Sequence, residues 1–531
     1  MDLSRDGPRK GDEGSGDRLC PRIEGEAQVR ERCADMLRDE SNLAAGSAEI
    51  VYLPEAVQDI ASALAEAAAD GEPVTVSGAR TGIVGGAVPV DSRRVLSLSR
   101  MSRVLEIGAP AGDRGAFARV QAGVTISALG EALGAFTWPG GRRWYYPVDP
   151  TERSAHVGGT IATNASGGRS FHYGPTRRWV NALVVVLADG RAFELRRGQV
   201  RAERGRLRWP EAFGASVLEL PRLARPRSKC AAGYFVEPDA DLVDIFIGSE
   251  GTLGVVAEAE LGLAEEPPGV LALVCFLPPD RAGLDLVRRF KSDERLSPLS
   301  IEYFDATALA LLREERASGG EDKIPELPAG AGSAVFVELA YGNESELDRA
   351  VSAVESDLAE HGCSLDDTWA GDDLAGRERM RLLRHAVPEA VNARVARRKR
   401  DCPELHKVGT DLAVPDESFE RLAAIYRERL PRSGLEYVVF GHAGENHLHV
   451  NLLARTREEL ERAKDLHREL AREAVGLGGA VTAEHGIGRL KRELLEIQYG
   501  REGVEALRRV KEFFDPRGLL NPGVLFPPRG A

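Results

Sequence analysis

The chain is poor in paired cysteines. Its six cysteines, Cys20, Cys33, Cys230, Cys275, Cys363 and Cys402, are scattered, and no CxxC spacing occurs. That excludes an encoded iron–sulfur cluster or a Cys-type zinc site and reads as free thiols in a reducing compartment. Long apolar runs are also absent. Nothing approaches the roughly 18 residues that a membrane span needs, so no transmembrane segment is expected. The first 20 residues, MDLSRDGPRKGDEGSGDRLC, hold no apolar stretch; they read as a disordered lead and not as a secretory signal. Basic charge is in deficit, with 70 Lys and Arg against 83 Asp and Glu and a net charge of −13. Such a chain repels phosphate, and no basic stripe stands out, so nucleic acid is not an expected partner. No internal repeat is evident. What remains is 531 residues, enough for two to four domains at about 150 residues each, and a globular protein that handles small molecules.

The glycines are clustered. A helical pattern runs over 52–70, and a short strand, Pro73–Ser77, leads into the loop Gly78-Ala-Arg-Thr-Gly-Ile-Val-Gly-Gly86, followed by a strand at 94–98. A dinucleotide fingerprint of the Rossmann kind requires such a loop to open a helix, with an acidic residue about 20 positions on. This loop opens a strand, so it carries no signal for NAD, although backbone without Cβ atoms can still approach a pyrophosphate. His156-Val-Gly-Gly-Thr-Ile-Ala-Thr-Asn-Ala-Ser-Gly-Gly168 is rich in hydrogen-bonding residues and suits a ligand-contacting loop. Residues 181–190 read as a buried strand ending in a hairpin-type Asp-Gly, and 244–256 as strand, glycine turn, strand. The Arg- and Pro-rich stretch 197–228 reads as a surface insertion, and 265–269 as a linker. Strands at 270–276 and 334–339 alternate with helices at 281–291 and 344–361, giving a second α+β unit with a loop at 315–331.

Four motifs follow in one order: Ser77–Gly86, Gly158-Gly-Thr-Ile-Ala-Thr-Asn-Ala165, Gly248-Ser-Glu-Gly-Thr-Leu-Gly254 and Asp515-Pro-Arg-Gly-Leu-Leu-Asn-Pro-Gly523. Together they resemble the FAD-linked oxidases of the vanillyl-alcohol oxidase superfamily, and within it the D-lactate, glycolate and D-2-hydroxyglutarate dehydrogenases, over residues 46 to 526. The resemblance implies an α+β fold: a two-subdomain PCMH-type FAD-binding domain (46–266) after a partly disordered lead (1–45), an α+β cap or substrate domain (267–480), and a C-terminal segment (481–531) that returns to the FAD domain and completes the site. It implies that Ser77, Gly78, Ala79, Arg80, Thr81, Gly82, Gly85 and Gly86 hold the pyrophosphate. Pro147, Gly158, Gly159, Thr163, Asn164 and Gly168 would line the flavin, with Ser249, Thr252, Gly254, Val256 and Asn521 near the ring or ribityl chain. Some relatives attach flavin through a His in the first loop. Here Ala79-Arg-Thr-Gly82 has none, so noncovalent FAD is expected.

The C-terminal part carries polar chemistry. Gly441-His-Ala-Gly-Glu-Asn-His-Leu-His-Val-Asn451 places three of the ten histidines within eight residues, and Thr482-Ala-Glu-His485 sets Glu484 beside His485. Imidazole and carboxylate together suit zinc and other borderline divalent ions. Strand spacing alone pairs His447 with His449 on one face. The resemblance instead pairs His442 with His449 and adds Glu484 as metal ligands, with zinc the first choice. The family has Asn where this chain has His447, which is then left as a contact behind the metal or on the flavin side. The resemblance further implies that Arg384 and Lys407 hold the substrate carboxylate, with Asn451 touching substrate. Glu302 and Asp305 read as structural. His485 would be the general base. The metal-chelated 2-hydroxy acid, D-lactate first, would lose its hydroxyl proton to His485 and its Cα hydride to flavin N5, leaving a 2-keto acid.

Three alternatives stand beside this reading. One is D-2-hydroxyglutarate or glycolate as substrate, the first of which needs a second cation in the pocket. Another is a flavin transferase like the alkyl-dihydroxyacetone-phosphate synthases, against which the metal motif argues. The last is a subunit without activity, against which intact Glu484-His485 argues. Electrons would pass to an external acceptor: a quinone, a cytochrome or an electron-transfer flavoprotein. The expected location is cytoplasmic, with room for peripheral contact at a membrane.

Overall fold

The computed structural model describes residues 20–112, 115–209, 216–278, 282–320 and 324–528; most of the expected disordered lead lies outside them. The first layer is a four-stranded sheet ordered Arg22–Glu24, Ile50–Tyr52, Arg94–Ser97, Val74–Ser77. Its first pair is antiparallel and the other two are parallel, and the parallel strands are largely buried, as crossover-connected strands must be. The chain between 52 and 70 splits where a single helix is expected. Tyr52 pairs with Leu96 in the sheet, and the helix is Val57–Asp70. It starts where Asp59 accepts the amides of Glu55 and Ala56.

The second layer is an antiparallel sheet ordered Val104–Gly108, Phe117–Gln121, Val255–Gly262, Val180–Val186, Ala192–Arg196. The strand expected at 244–247 is instead a short helix, Leu242–Phe246, whose first turn is capped by the Asp241 carboxylate. Five apolar-rich residues carry no period that separates helix from strand, and the cap decides. The stretch 197–228 is also less superficial than its composition suggests. Arg206–Arg208 and Val217–Glu219 pair as a hairpin, and Leu207, Trp209, Leu218 and Leu220 join the main core.

The third sheet is the largest: Thr368–Gly371, Gly269–Leu277, Ser333–Tyr341, Pro298–Phe304, Tyr437–Gly441, His447–Leu452, Val408–Gly409, with Leu412–Ala413 also against His447–Leu452. One buried apolar cluster runs from Ala118 and Leu183 in the second sheet to Val337 and Leu448 in the third. The expected linker at 265–269 is accordingly short: Ala264–Glu265 pairs with Trp144–Tyr145, and the next strand starts at Gly269. The long helix Leu374–Arg398 covers the other face through Leu383, Val387 and Val391. The chain then returns to its first sheet. Val74 donates to the Leu519 carbonyl at 2.8 Å, and Asn521 accepts the Val76 amide at 2.7 Å while donating to the Glu250 carbonyl at 2.8 Å. No helix among the described residues is long and apolar enough to cross a membrane.

Candidate functional site

A cavity of about 1440 Å³ lies between the glycine loops of the first two sheets and the edge of the third. Gly78, Ala79, Arg80, Thr81, Gly82 and Gly86 line one end, with Gly158, Gly159, Thr163, Ser249, Gly254, Val256 and Asn521. Gly82, Gly86 and Gly159 have nothing within 4 Å of where a Cβ would stand, so side chains there would fill the cavity. That is the cradle an extended dinucleotide requires, and the residues fit FAD. Six residues expected at the flavin do not reach the wall. Ser77 is fully buried in its strand. Gly85 turns against Leu43 and Arg489, and Gly168 backs onto Glu302 and Arg384. Asn164 accepts the Arg177 amide, Thr252 is held by Tyr234 and the Ser249 carbonyl, and Pro147 lies outside the lining.

The other end is polar. Tyr437–Gly441 and His447–Leu452 form a hairpin whose turn is held by Asn446 at φ 56°. Gly441 has φ 139°, and a Cβ there would stand 3.0 Å from the His449 ring, so only glycine lets the two strands close with the imidazoles between them. His442, His449, Glu484, His485, Arg384, Lys407 and Asn451 all line this cavity. His447 shares the strand face of His449, with ring centroids 4.4 Å apart, but it is wholly buried behind the wall.

Each ligand-type side chain is held from behind. His442 Nδ1 lies 2.9 Å from Glu302 Oε1, and His449 Nδ1 lies 3.4 Å from the Thr410 carbonyl. These contacts turn both Nε2 atoms towards Glu484 Oε1, at 3.5 and 3.3 Å. His485 Nε2 stands 3.7 Å from the same oxygen. The other oxygen, Oε2, is occupied: Lys229 Nζ at 2.9 Å and Ser166 Oγ at 3.0 Å donate to it. Three imidazole nitrogens gathered on one carboxylate oxygen make a donor set that a cation can bind. Ligand bonds of about 2.1 Å in a tetrahedron put neighbouring donor atoms about 3.4 Å apart, close to these separations. The donor set fits a divalent ion.

Electrostatics agree. Burial pushes Glu302 up, but Arg384, with Nε at 3.1 Å, and His442 outweigh it and hold the acid at about 2. Burial pushes His442 down, but Glu302 and Glu484 raise it to about 9, so the spot demands positive charge. Burial likewise opposes ionisation of Glu484, yet Lys229 and His442 hold it well below the usual carboxylate range. Asp411, fully buried, receives Thr482 Oγ1, the His485 amide at 3.0 Å and Lys491 at 3.2 Å. Its Oδ2 lies 3.2 Å from His485 Nδ1, which fixes that ring with Nε2 towards the cavity. Burial lowers His485, against the pull of Asp411, so the imidazole is neutral and able to accept a proton.

Lys229, Ser166 and Asp411 escape the sequence reading, and Glu302 belongs to the site and not only to the framework. Asp305 does cap a helix, accepting the amides of Thr307 and Ala308. Lys407 is half-buried, and no carboxylate among the described residues pairs with it.

Residues 48–196 match the family described as FAD binding domain, and 267–525 the one described as FAD linked oxidases, C-terminal domain. The chain is 31% identical to a D-2-hydroxyglutarate dehydrogenase of Xanthomonas citri pv. viticola over 91% of its own length and 90% of the relative's. It is 27% identical to a glycolate oxidase subunit, GlcD, of Bacillus subtilis (90% and 89%), and 29% identical to a D-lactate dehydrogenase of Anaerostipes hadrus (85% and 84%). Among solved structures, an alkyldihydroxyacetonephosphate synthase shares the fold with a TM-score of 0.58 at 16% identity, covering 90% of this chain and 76% of that one.

Proposed function

Because this chain belongs to the FAD-linked oxidases of the vanillyl-alcohol oxidase superfamily, we propose that it oxidises a D-2-hydroxy acid, D-lactate first, to the 2-keto acid with the help of a divalent cation. The observation that carries the reading is Glu484 Oε1, faced by Nε2 of His442, His449 and His485 within 3.3 to 3.7 Å at the end of a flavin-sized cleft. When bound, FAD takes up the electrons of the Cα–H bond, and a divalent ion, zinc by donor chemistry, polarises the hydroxyl as a Lewis acid. His442, His449 and Glu484 would hold that ion.

The remaining work falls to the chain's own side chains. His485 accepts the hydroxyl proton at Nε2, with Asp411 keeping Nδ1 protonated and the ring in place. Lys407 binds the substrate carboxylate and Asn451 borders it. Arg384 is largely committed to Glu302 and Lys491 to Asp411, whereas Lys407 faces the cavity with no carboxylate partner among the described residues. Lys399 lines the same cavity and pairs with Asn42 rather than with a carboxylate, so the choice between a mono- and a dicarboxylic acid falls to the substrate comparison below. The electrons then leave to an external acceptor.

Anaerobic mixing of the purified flavoprotein with D-lactate, D-2-hydroxyglutarate, glycolate and L-lactate, read by bleaching of the flavin bands, tests this. Bleaching fastest with D-lactate and absent with L-lactate is expected. Faster bleaching with D-2-hydroxyglutarate would overturn D-lactate as the first substrate, and persistent colour with every acid would overturn the oxidation itself.

A further inference from the structure

His447 is the one member of the histidine cluster without an assigned task. It is fully buried. Its Nε2 faces Asp411 Oδ1 at 3.0 Å, which leaves Nδ1 as the ring nitrogen with no hydrogen-bond partner. Native interiors rarely leave polar atoms in that state. The ring sits 4.4 Å from His449 and 5.5 Å from His442, centroid to centroid. One ligand-type atom from each of His442, His447, His449 and Glu484 lies within 4.8 Å of all the others.

We propose that His447 is a ligand of the same cation, giving a set of three imidazoles and one carboxylate. The inference rests on the reading of this cluster as a divalent-cation site and adds a residue to it. Its consequence is a matter of coordination number. Four protein donors plus the carboxylate and hydroxyl oxygens of a chelating substrate make six. The site is therefore built for an ion that expands readily beyond four donors, and three imidazoles select the borderline transition ions over magnesium or calcium.

Cobalt(II) is the probe, added to the FAD-loaded protein after chelator dialysis. Three readouts are expected. His447→Asn weakens cobalt binding by more than the roughly 10- to 100-fold that loss of a partner behind a ligand costs. Its ligand-field absorption bands shift from those of the unaltered protein. The unaltered cobalt protein shows three paramagnetically shifted imidazole N–H proton resonances. Wild-type affinity and bands in His447→Asn, or only two shifted resonances, would overturn the proposal. His449→Ala separates the two readings: lost cobalt binding there with an unaffected His447→Asn protein refutes only the added ligand. Failure of the unaltered protein to bind cobalt or zinc refutes the cation site and the inference with it. The proton resonances need no variant, so a misfolded substitution leaves the test intact.

Discussion

At the scale of single residues, the site is a set of side chains each pinned by another. His485→Ala removes the proton acceptor but nothing that touches the glycine loops. FAD content should stay at the wild-type level, while the rate of flavin bleaching by substrate falls about 10²- to 10⁴-fold, the usual worth of a positioned acid or base. Near wild-type bleaching would show that another group takes the proton. Lys229 acts differently, through Glu484. Removing its ammonium in Lys229→Met leaves Glu484 and Glu445 as buried neighbours without their shared cation. Metal content by elemental analysis should drop with FAD retained; unchanged metal would show that Ser166 alone holds the carboxylate. Residues like Lys229 mark the limit of what the sequence makes legible. His442, His447 and His449 fall within one stretch, and Glu484 adjoins His485, so their types and spacing expose them. Lys229 is 255 residues from Glu484, Ser166 is 318 and Glu302 is 140 from His442. Lys229 also ends an Arg-rich stretch that looks like surface. No local pattern signals a partner that only the fold supplies.

At the scale of elements, strands with strong flanking signals are legible in the sequence, and a short apolar run without them is not. Val74–Ser77 and Arg94–Ser97 sit where glycine loops bound them. Leu242–Phe246 contradicts its apolar run because one carboxylate settles the backbone. Asp241 accepts the Val243 amide and also the Gly198 amide. Asp241→Ala should therefore cost at least the ~1 kcal/mol of a lost helix cap, measured by denaturant unfolding. A loss well under 0.5 kcal/mol would mean the apolar face alone holds the helix. The stretch 197–228 teaches the same point from the other side. Its arginines are not idle surface: Arg197 reaches Asp244 at 2.9 Å, tying the hairpin region to that helix.

At the scale of the whole molecule, the cleft joins three sheets, and one part of its response to acid comes from a histidine on its wall. Burial, helped by the Arg80 charge, lowers His156 to about 4 from 6.5. The unfolded chain takes up a proton there that the folded chain refuses. The stability this represents is fully present above pH 6.5 and is lost as pH falls towards 4. Thermal midpoints of the wild type should fall more steeply over that window than those of His156→Gln; equal slopes would refute the assignment. Closure of the fold offers a second test. Asn521→Ala loses the bonds to Val76 and Glu250 that seal the dinucleotide end, so FAD should dissociate faster in dilution experiments, with the secondary structure content unchanged.

The bond between Asn521 and Val76 spans 445 residues of chain. At about 5 to 20 residues per second, a ribosome needs roughly 20 to 90 s to make that interval. The strand carrying Val76 has its neighbour Arg94–Ser97 early but waits that long for its clasp. Until Asn521 is made, the dinucleotide end of the cleft lacks the bonds to Val76 and Glu250.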